Sequence, residues 1–157
     1  MPSLAQGEFR LENDQATARL GAAVGRALRI GEAVCLWGPL GAGKSTLARG
    51  LIRALTSPEE EAPSPTFTLA QLYETPALTV THFDLYRLGG LADVAELGLD
   101  EALDAGAAVI EWPERLEGQL PRRRLDIALS FVRDGEVERR LARLTPQGDW
   151  EGRLIEV

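Results

Sequence analysis

Between Gly38 and Ser45 the chain reads Gly-Pro-Leu-Gly-Ala-Gly-Lys-Ser, which fits the pattern G-x-x-x-x-G-K-[ST]. Such a stretch suits the holding of a polyphosphate. A triphosphate concentrates negative charge, and successive backbone N–H groups at the start of a helix can surround it. Gly41 and Gly43 let the backbone fold closely around an anion with no side chain in the way. Lys44 brings a cation to the β- and γ-phosphates, and the Ser45 hydroxyl can take one coordination position on Mg²⁺. Pro39 has no N–H, so the phosphate-binding amides start at Leu40 and run through Gly41, Ala42, Gly43, Lys44 and Ser45 to Thr46. Of the 17 basic residues 16 are Arg, and the only lysine falls at position 44. A compact ammonium is a point charge suited to phosphate, which weakens the plainer reading of a Gly-rich turn with a chance lysine.

Two carboxylates stand where such a site would use them. Asp84 follows an alternating stretch, Leu78 to Phe83. It can bind Mg²⁺ directly or through water, position an attacking water, or simply cap the turn that follows. Glu111 closes the apolar run that starts at Ala107. Open α/β sheets bind ligands beyond the carboxyl ends of their strands, so this carboxylate is placed for a metal, with a surface strand-end residue as the alternative. His82 and Tyr86 flank Asp84, and a lone imidazole inside a strand reads as a structural group. Arg122, Arg123 and Arg124 form a basic cluster that reads as a solvated loop.

The elements that must position these groups follow from hydrophobic spacing. Asn13 or Asp14 can cap a helix whose Leu20, Val24 and Leu28 share one face, ending near Gly31. Ala33 to Trp37 is short and continuously apolar, a buried strand. The glycine-rich turn follows, then a helix from Lys44 to Leu55 with Leu47, Leu51 and Leu55 on one side. Thr56 to Pro65, with three consecutive glutamates, is a surface loop. Strands are expected at Thr66–Glu74 and Leu78–Phe83 with a turn at Thr75-Pro76, two short helical pieces around Gly98, and a strand at Ala107–Glu111. The alternation from Leu125 to Phe131 turns at Asp134-Gly135 and returns through Val137 to Leu144. Together these predict an α/β fold: one P-loop NTPase domain over residues 1–157, three-layered, with a mixed central sheet and a C-terminal antiparallel hairpin.

Composition bounds the rest. With 157 residues the chain needs no disulfide or structural metal to fold, and its single cysteine, Cys35, lies in an apolar run as a core thiol. One Cys and one His exclude a cysteine-built zinc or iron–sulfur site and a histidine-based one. The net charge of −7 makes the chain a poor binder of nucleic acid through phosphate neutralisation. Absence of a long apolar run or a basic leader at the N-terminus predicts a cytoplasmic protein with no membrane contact. A guanine-reading Asn/Thr-Lys-x-Asp motif would need a second lysine, so ATP is expected rather than GTP.

Gly38-Pro-Leu-Gly-Ala-Gly-Lys-Ser-Thr46, Ser64-Pro-Thr-Phe-Thr-Leu69, His82-Phe-Asp-Leu-Tyr-Arg87 and Ile110-Glu-Trp-Pro113 occur in the order and spacing typical of the TsaE (YjeE) family. The chain resembles that family from about Asp14 to Leu144. Two departures are mild: Gly-Pro-Leu stands where Gly-Asp-Leu is usual, and Lys-Ser replaces Lys-Thr with the hydroxyl kept. The resemblance implies a Mg²⁺-dependent ATPase of tRNA threonylcarbamoyladenosine synthesis, stimulated by TsaB and TsaD; the acidic charge, with Arg122 to Arg124 as its one basic cluster, speaks against direct tRNA contact. It implies that Asp84 is a switch-region aspartate, Glu111 a metal-linked residue, Thr66 a switch threonine sensing the γ-phosphate, and Trp112 a residue near the nucleotide. Asp14 or Thr17, and Arg140, would approach the adenosine. The residues alone leave two rivals: a small-molecule P-loop kinase, which needs an arginine-rich lid, and a nucleotide-sensing module that does not hydrolyse.

Overall fold

The computed structural model describes residues 2–65, 69–89 and 95–157. Among these, the chain runs β1 (Pro2–Leu4), β2 (Gly7–Leu11), α1 (Asp14–Ala27), β3 (Ala33–Trp37), α2 (Lys44–Leu55), β4 (Ala70–Glu74) and β5 (Thr79–Asp84). It continues through a 3-10 turn (Ala95–Leu97), α3 (Leu99–Ala105), β6 (Gly106–Glu111), a 3-10 turn (Pro113–Leu116), β7 (Arg124–Asp134) and β8 (Val137–Gln147). A last 3-10 turn (Gly148–Trp150) leads to β9 (Leu154–Glu156).

Seven strands form one sheet in the order β2-β8-β7-β3-β6-β5-β4. Strands β7, β3, β6 and β5 are mutually parallel; β4 and β8 flank them antiparallel, and β2 pairs antiparallel with β8 at the edge. This is the mixed sheet expected. β3 shows why its sequence is apolar throughout: Val34 and Leu36 enter the core beneath α1 and α2, while Ala33 and Cys35 face a second core. That second core holds Phe83, Leu85, Ala108, Ile110 and Leu116, packed against Leu99, Ala102 and Leu103 of α3. Alternate residues of a strand point to opposite faces, so helices on both sides make a buried strand hydrophobic at every position. The three layers are therefore α1 and α2, the sheet, and α3 with its neighbouring turns.

Asn13 caps α1, its Oδ1 accepting the Ala16 N–H at 2.8 Å, and the helix stops at Ala27, a turn earlier than the spacing predicts. Residues 66–68 of the expected strand lie outside the described residues, and the strand there begins at Ala70. The C-terminal hairpin is longer than its alternation suggested, with 11 residues in each arm. Burial pushes the Cys35 thiol up to about 12, so it stays protonated as a core residue. No helix is long and apolar enough to cross a membrane among the described residues.

Candidate phosphate-binding site

The C-terminal ends of three parallel strands bring the chemistry together. β3 ends at Trp37 and hands the chain to the glycine-rich loop and then α2; β5 ends at Asp84 and β6 at Glu111, opposite each other in register. Gly38 has φ +138 and its α-carbon lies so close to β7 that a Cβ would sit 2.4 Å from the Leu129 carbonyl oxygen. Gly43, at φ +106, is the residue before α2 and offers no side chain to cap it. The first N–H groups of α2 thus have no intrahelical acceptor and face the loop, which is where an anion binds.

A cavity of about 390 Å³ opens over this loop. Of the residues singled out from the sequence, Asp14, Leu40, Gly41, Gly43, Lys44, Ser45, Thr46, Asp84, Glu111, Trp112 and Arg140 line it. Ala42 is fully buried behind the loop, its N–H bonded to the Pro39 carbonyl at 3.2 Å. Thr17 is also fully buried: its hydroxyl donates to the Asn13 carbonyl at 3.3 Å, and its methyl group packs beside Gly43. Thr17 therefore supports the loop from behind instead of lining the cavity. Thr66 lies outside the described residues.

The Lys44 side chain is not a free surface cation. It is 5% exposed, and its Nζ donates to the Gly38 carbonyl and, at 3.1 Å, to the Pro39 carbonyl, so the loop closes around its own lysine. The ammonium sits 3.8 Å from the centroid of the Trp112 ring, a cation–π contact. Trp112 in turn stacks at a tilt on Tyr86, with centroids 4.9 Å apart. Trp112 adopts φ +61, a left-handed conformation unusual for a bulky residue, which turns its ring back over the loop after β6. Burial lowers the Lys44 pKa, opposed by the negative charges of Glu111, Glu114 and Asp84.

At the cavity floor the Ser45 hydroxyl bonds the Glu111 Oε1 at 3.1 Å and the Ser64 hydroxyl at 3.0 Å. Glu111 is 2% exposed, and its Oε2 accepts from His82 Nε2 at 2.6 Å. Asp84 is half-buried; its Oδ1 accepts the Tyr86 N–H at 3.2 Å, and burial raises its pKa despite that bond. At the other rim Arg140 pairs with Asp14 and donates to the Gly41 carbonyl at 3.3 Å, tying β8 and α1 to the loop. Ser64, Pro65, Leu69, Tyr86 and Arg87 also line the cavity. Ser64 and Tyr86 stand within the two sequence blocks quoted above, but only the folded chain puts Ser64 against Ser45.

Comparison with known proteins agrees with this geometry. The family model for threonylcarbamoyl adenosine biosynthesis protein TsaE matches residues 11–141, which include every residue that lines the cavity. The chain belongs to the TsaE family. The TsaE of Treponema pallidum is 43% identical over 79% of this chain and 91% of its own length. The TsaE of Rickettsia bellii is 35% identical over 86% and 92%, and that of Mycobacterium bovis 38% identical over 80% of each. The crystal structure of Bacillus subtilis YdiB superposes with a TM-score of 0.70 at 28% identity, covering 96% of this chain and 91% of that one. The TsaE family acts in the biosynthesis of tRNA threonylcarbamoyladenosine, and the chain belongs to that process.

Proposed function

We propose that this TsaE protein is a slow Mg²⁺-dependent ATPase that works with TsaB and TsaD in forming threonylcarbamoyladenosine on tRNA. The observation that carries the reading is the Lys44–Ser45–Glu111 arrangement: an ammonium, a hydroxyl and a carboxylate meet at the N-terminus of α2, lining a cavity of nucleotide size. The donor set fits Mg²⁺. That ion keeps several waters and takes few protein oxygens when phosphates complete its shell. A serine and a single carboxylate therefore suffice, although no group of three metal-ligating side chains occurs among the described residues.

On this reading the backbone amides from Leu40 to Thr46, Ala42 excepted, orient the phosphates, and Lys44 exchanges its carbonyl partners at Gly38 and Pro39 for phosphate oxygens. Ser45 and Glu111 would hold Mg²⁺, which would offset the charge on the phosphate oxygens. Asp84, whose carboxylate is destabilised by burial, orients the attacking water from the end of β5. Trp112 and Tyr86 shield the lysine side of the cavity from bulk water. Phosphoryl transfer depends on positioning and charge neutralisation; the loop brings one lysine, and Arg140 at the rim is held by Asp14 and the Gly41 carbonyl, so the site is slow until a partner completes it.

The test is phosphate release from Mg-ATP by the chain alone and then with TsaB and TsaD added. Slow release alone and a clear rise with the pair is the expected result. Transfer of the γ-phosphate to a small molecule would make it a kinase, and tight nucleotide binding with no release under either condition would make it a sensing module.

A further inference from the structure

His82 is the buried group that the phosphate chemistry leaves unexplained. It lies on β5, 1% exposed, with its Nε2 2.6 Å from Glu111 Oε2. Its other ring nitrogen, Nδ1, is buried with no hydrogen-bond partner among the described residues. A histidine serving the core alone is poorly suited to this position, because an apolar side chain would fill it without leaving a polar atom unpaired. A carboxylate only accepts hydrogen bonds, so the proton of the short contact belongs to Nε2. With Oε2 engaged in this way, Glu111 presents Oε1 to the Ser45 hydroxyl.

We propose that His82 is a positioning residue whose Nε2–H fixes the Glu111 carboxylate with Oε1 turned to Ser45, so that Oε1 and the Ser45 hydroxyl oxygen are ready for a divalent cation before nucleotide arrives. The inference rests on the nucleotide reading above and deepens it. Without the donor, the buried carboxylate would have an unsatisfied oxygen beside a nearby cation, Lys44, whose ionisation already responds to Glu111. Turning toward Lys44 would satisfy that oxygen, draw Glu111 away from Ser45 and occupy the ammonium. The hydrogen-bonded partners of metal-binding carboxylates act in this way in general: their loss weakens metal affinity by about 10–100-fold.

The test uses the full chain without a histidine tag and measures binding of a non-hydrolysable ATP analogue by calorimetry, with Mg²⁺ and with EDTA. In the unsubstituted chain Mg²⁺ is expected to tighten binding. In His82→Leu that tightening should shrink by about 10-fold or more, while the affinity in EDTA, touched only through Lys44, falls by much less. His82→Gln, whose amide N–H reaches toward the same oxygen, should restore most of it. A folded His82→Leu with the full Mg²⁺ effect would overturn the inference. So would equal losses with and without Mg²⁺ that His82→Gln does not repair, since a purely structural role moves both. A third measurement needs no variant: His82 is the only histidine, so the imidazole ¹⁵N spectrum of the unsubstituted chain is unambiguous. A protonated Nε2 is expected, and a bare Nε2 refutes the bond. No binding of the analogue by the unsubstituted chain would remove the nucleotide reading itself, and the role of His82 with it.

Discussion

Lys44 is the residue whose surroundings depart most from what an isolated motif suggests. A phosphate-loop lysine reads as an exposed side chain, yet here it is buried under Trp112 and bonded to two loop carbonyls. Binding of nucleotide must exchange those contacts for charge-assisted ones, and bonds to charged groups are worth about 1.5–3 kcal/mol each. Lys44→Ala is therefore expected to weaken ATP affinity by about 10–100-fold in calorimetry. The same variant should unfold cooperatively on heating, because the aliphatic stem covers little of the core. Asp84 supports a prediction of opposite sign. Burial raises its pKa, so just above the ordinary carboxylate value the folded chain keeps a proton that the unfolded chain has lost. Stability from this group is present below the unfolded pKa and is lost as pH rises through the raised one. Asp84→Asn removes the penalty and can keep the Oδ1 bond to the Tyr86 N–H. It should raise Tm at neutral pH by about 1–2 °C, a small gain because solvent reaches the half-exposed carboxylate, and the gain should vanish at acid pH. Partner-stimulated phosphate release should be lost in the same variant. The phosphate loop was legible because its glycines, lysine and serine act through local backbone geometry. The His82–Glu111 bond was not, because it joins two strands whose adjacency only the sheet order supplies.

At the scale of elements, the buried strands and the two long helices were readable from spacing alone, and the hairpin from its Asp134-Gly135 turn. The short strands β1 and β9 were not readable. Each has three residues, mostly exposed, and they exist because the chain ends meet and pair. The closeness of α1 and α2 was likewise invisible, although its cause is written in glycines. A Cβ at Gly21 would lie 2.1 Å from the Leu47 carbonyl oxygen, and one at Gly50 would lie 2.3 Å from that of Ala18. The two helices touch backbone to backbone at these points. Gly→Ala inside a helix ordinarily stabilises by about 1 kcal/mol through helix propensity. At Gly21 the neighbour is backbone and cannot turn aside, so overpacking should outweigh that gain and Gly21→Ala should destabilise by about 2 kcal/mol or more net. Urea denaturation gives the sign. A variant as stable as the parent would show that the helices separate freely, and that the loop at the start of α2 is less firmly seated than its packing implies.

Across the whole molecule, the C-terminal segment is what fastens the far end of β3. Arg153 forms a two-pronged pair with Glu32, at 2.6 and 2.7 Å, and also donates to the Ala27 carbonyl at 3.0 Å and the Asp149 carbonyl at 3.2 Å. Its guanidinium lies 4.3 Å from the Trp150 ring centroid, and its carbonyl accepts the Ala5 N–H at 2.9 Å. Glu32 also accepts the Arg29 N–H at 2.9 Å, so one buried carboxylate joins the end of α1, the start of β3 and the tail. Glu32 immediately precedes β3, the strand whose other end carries the phosphate loop. A buried pair is costly to break from one side, because the remaining charge has no partner; the loss is about 3–5 kcal/mol. Arg153→Met should therefore destabilise by that amount, while adding Glu32→Gln to it should recover a large part, as the stranded charge is removed. Urea midpoints of the parent, both single variants and the double variant complete the cycle, and a coupling energy above about 1 kcal/mol is expected. Because the pair is sealed from solvent, raising the salt concentration should leave that coupling nearly unchanged, whereas an exposed pair such as Arg143–Glu8 would lose its small contribution. Additive single losses would mean that the tail merely rests on the domain, and the seating of β3 would then have to come from the sheet alone.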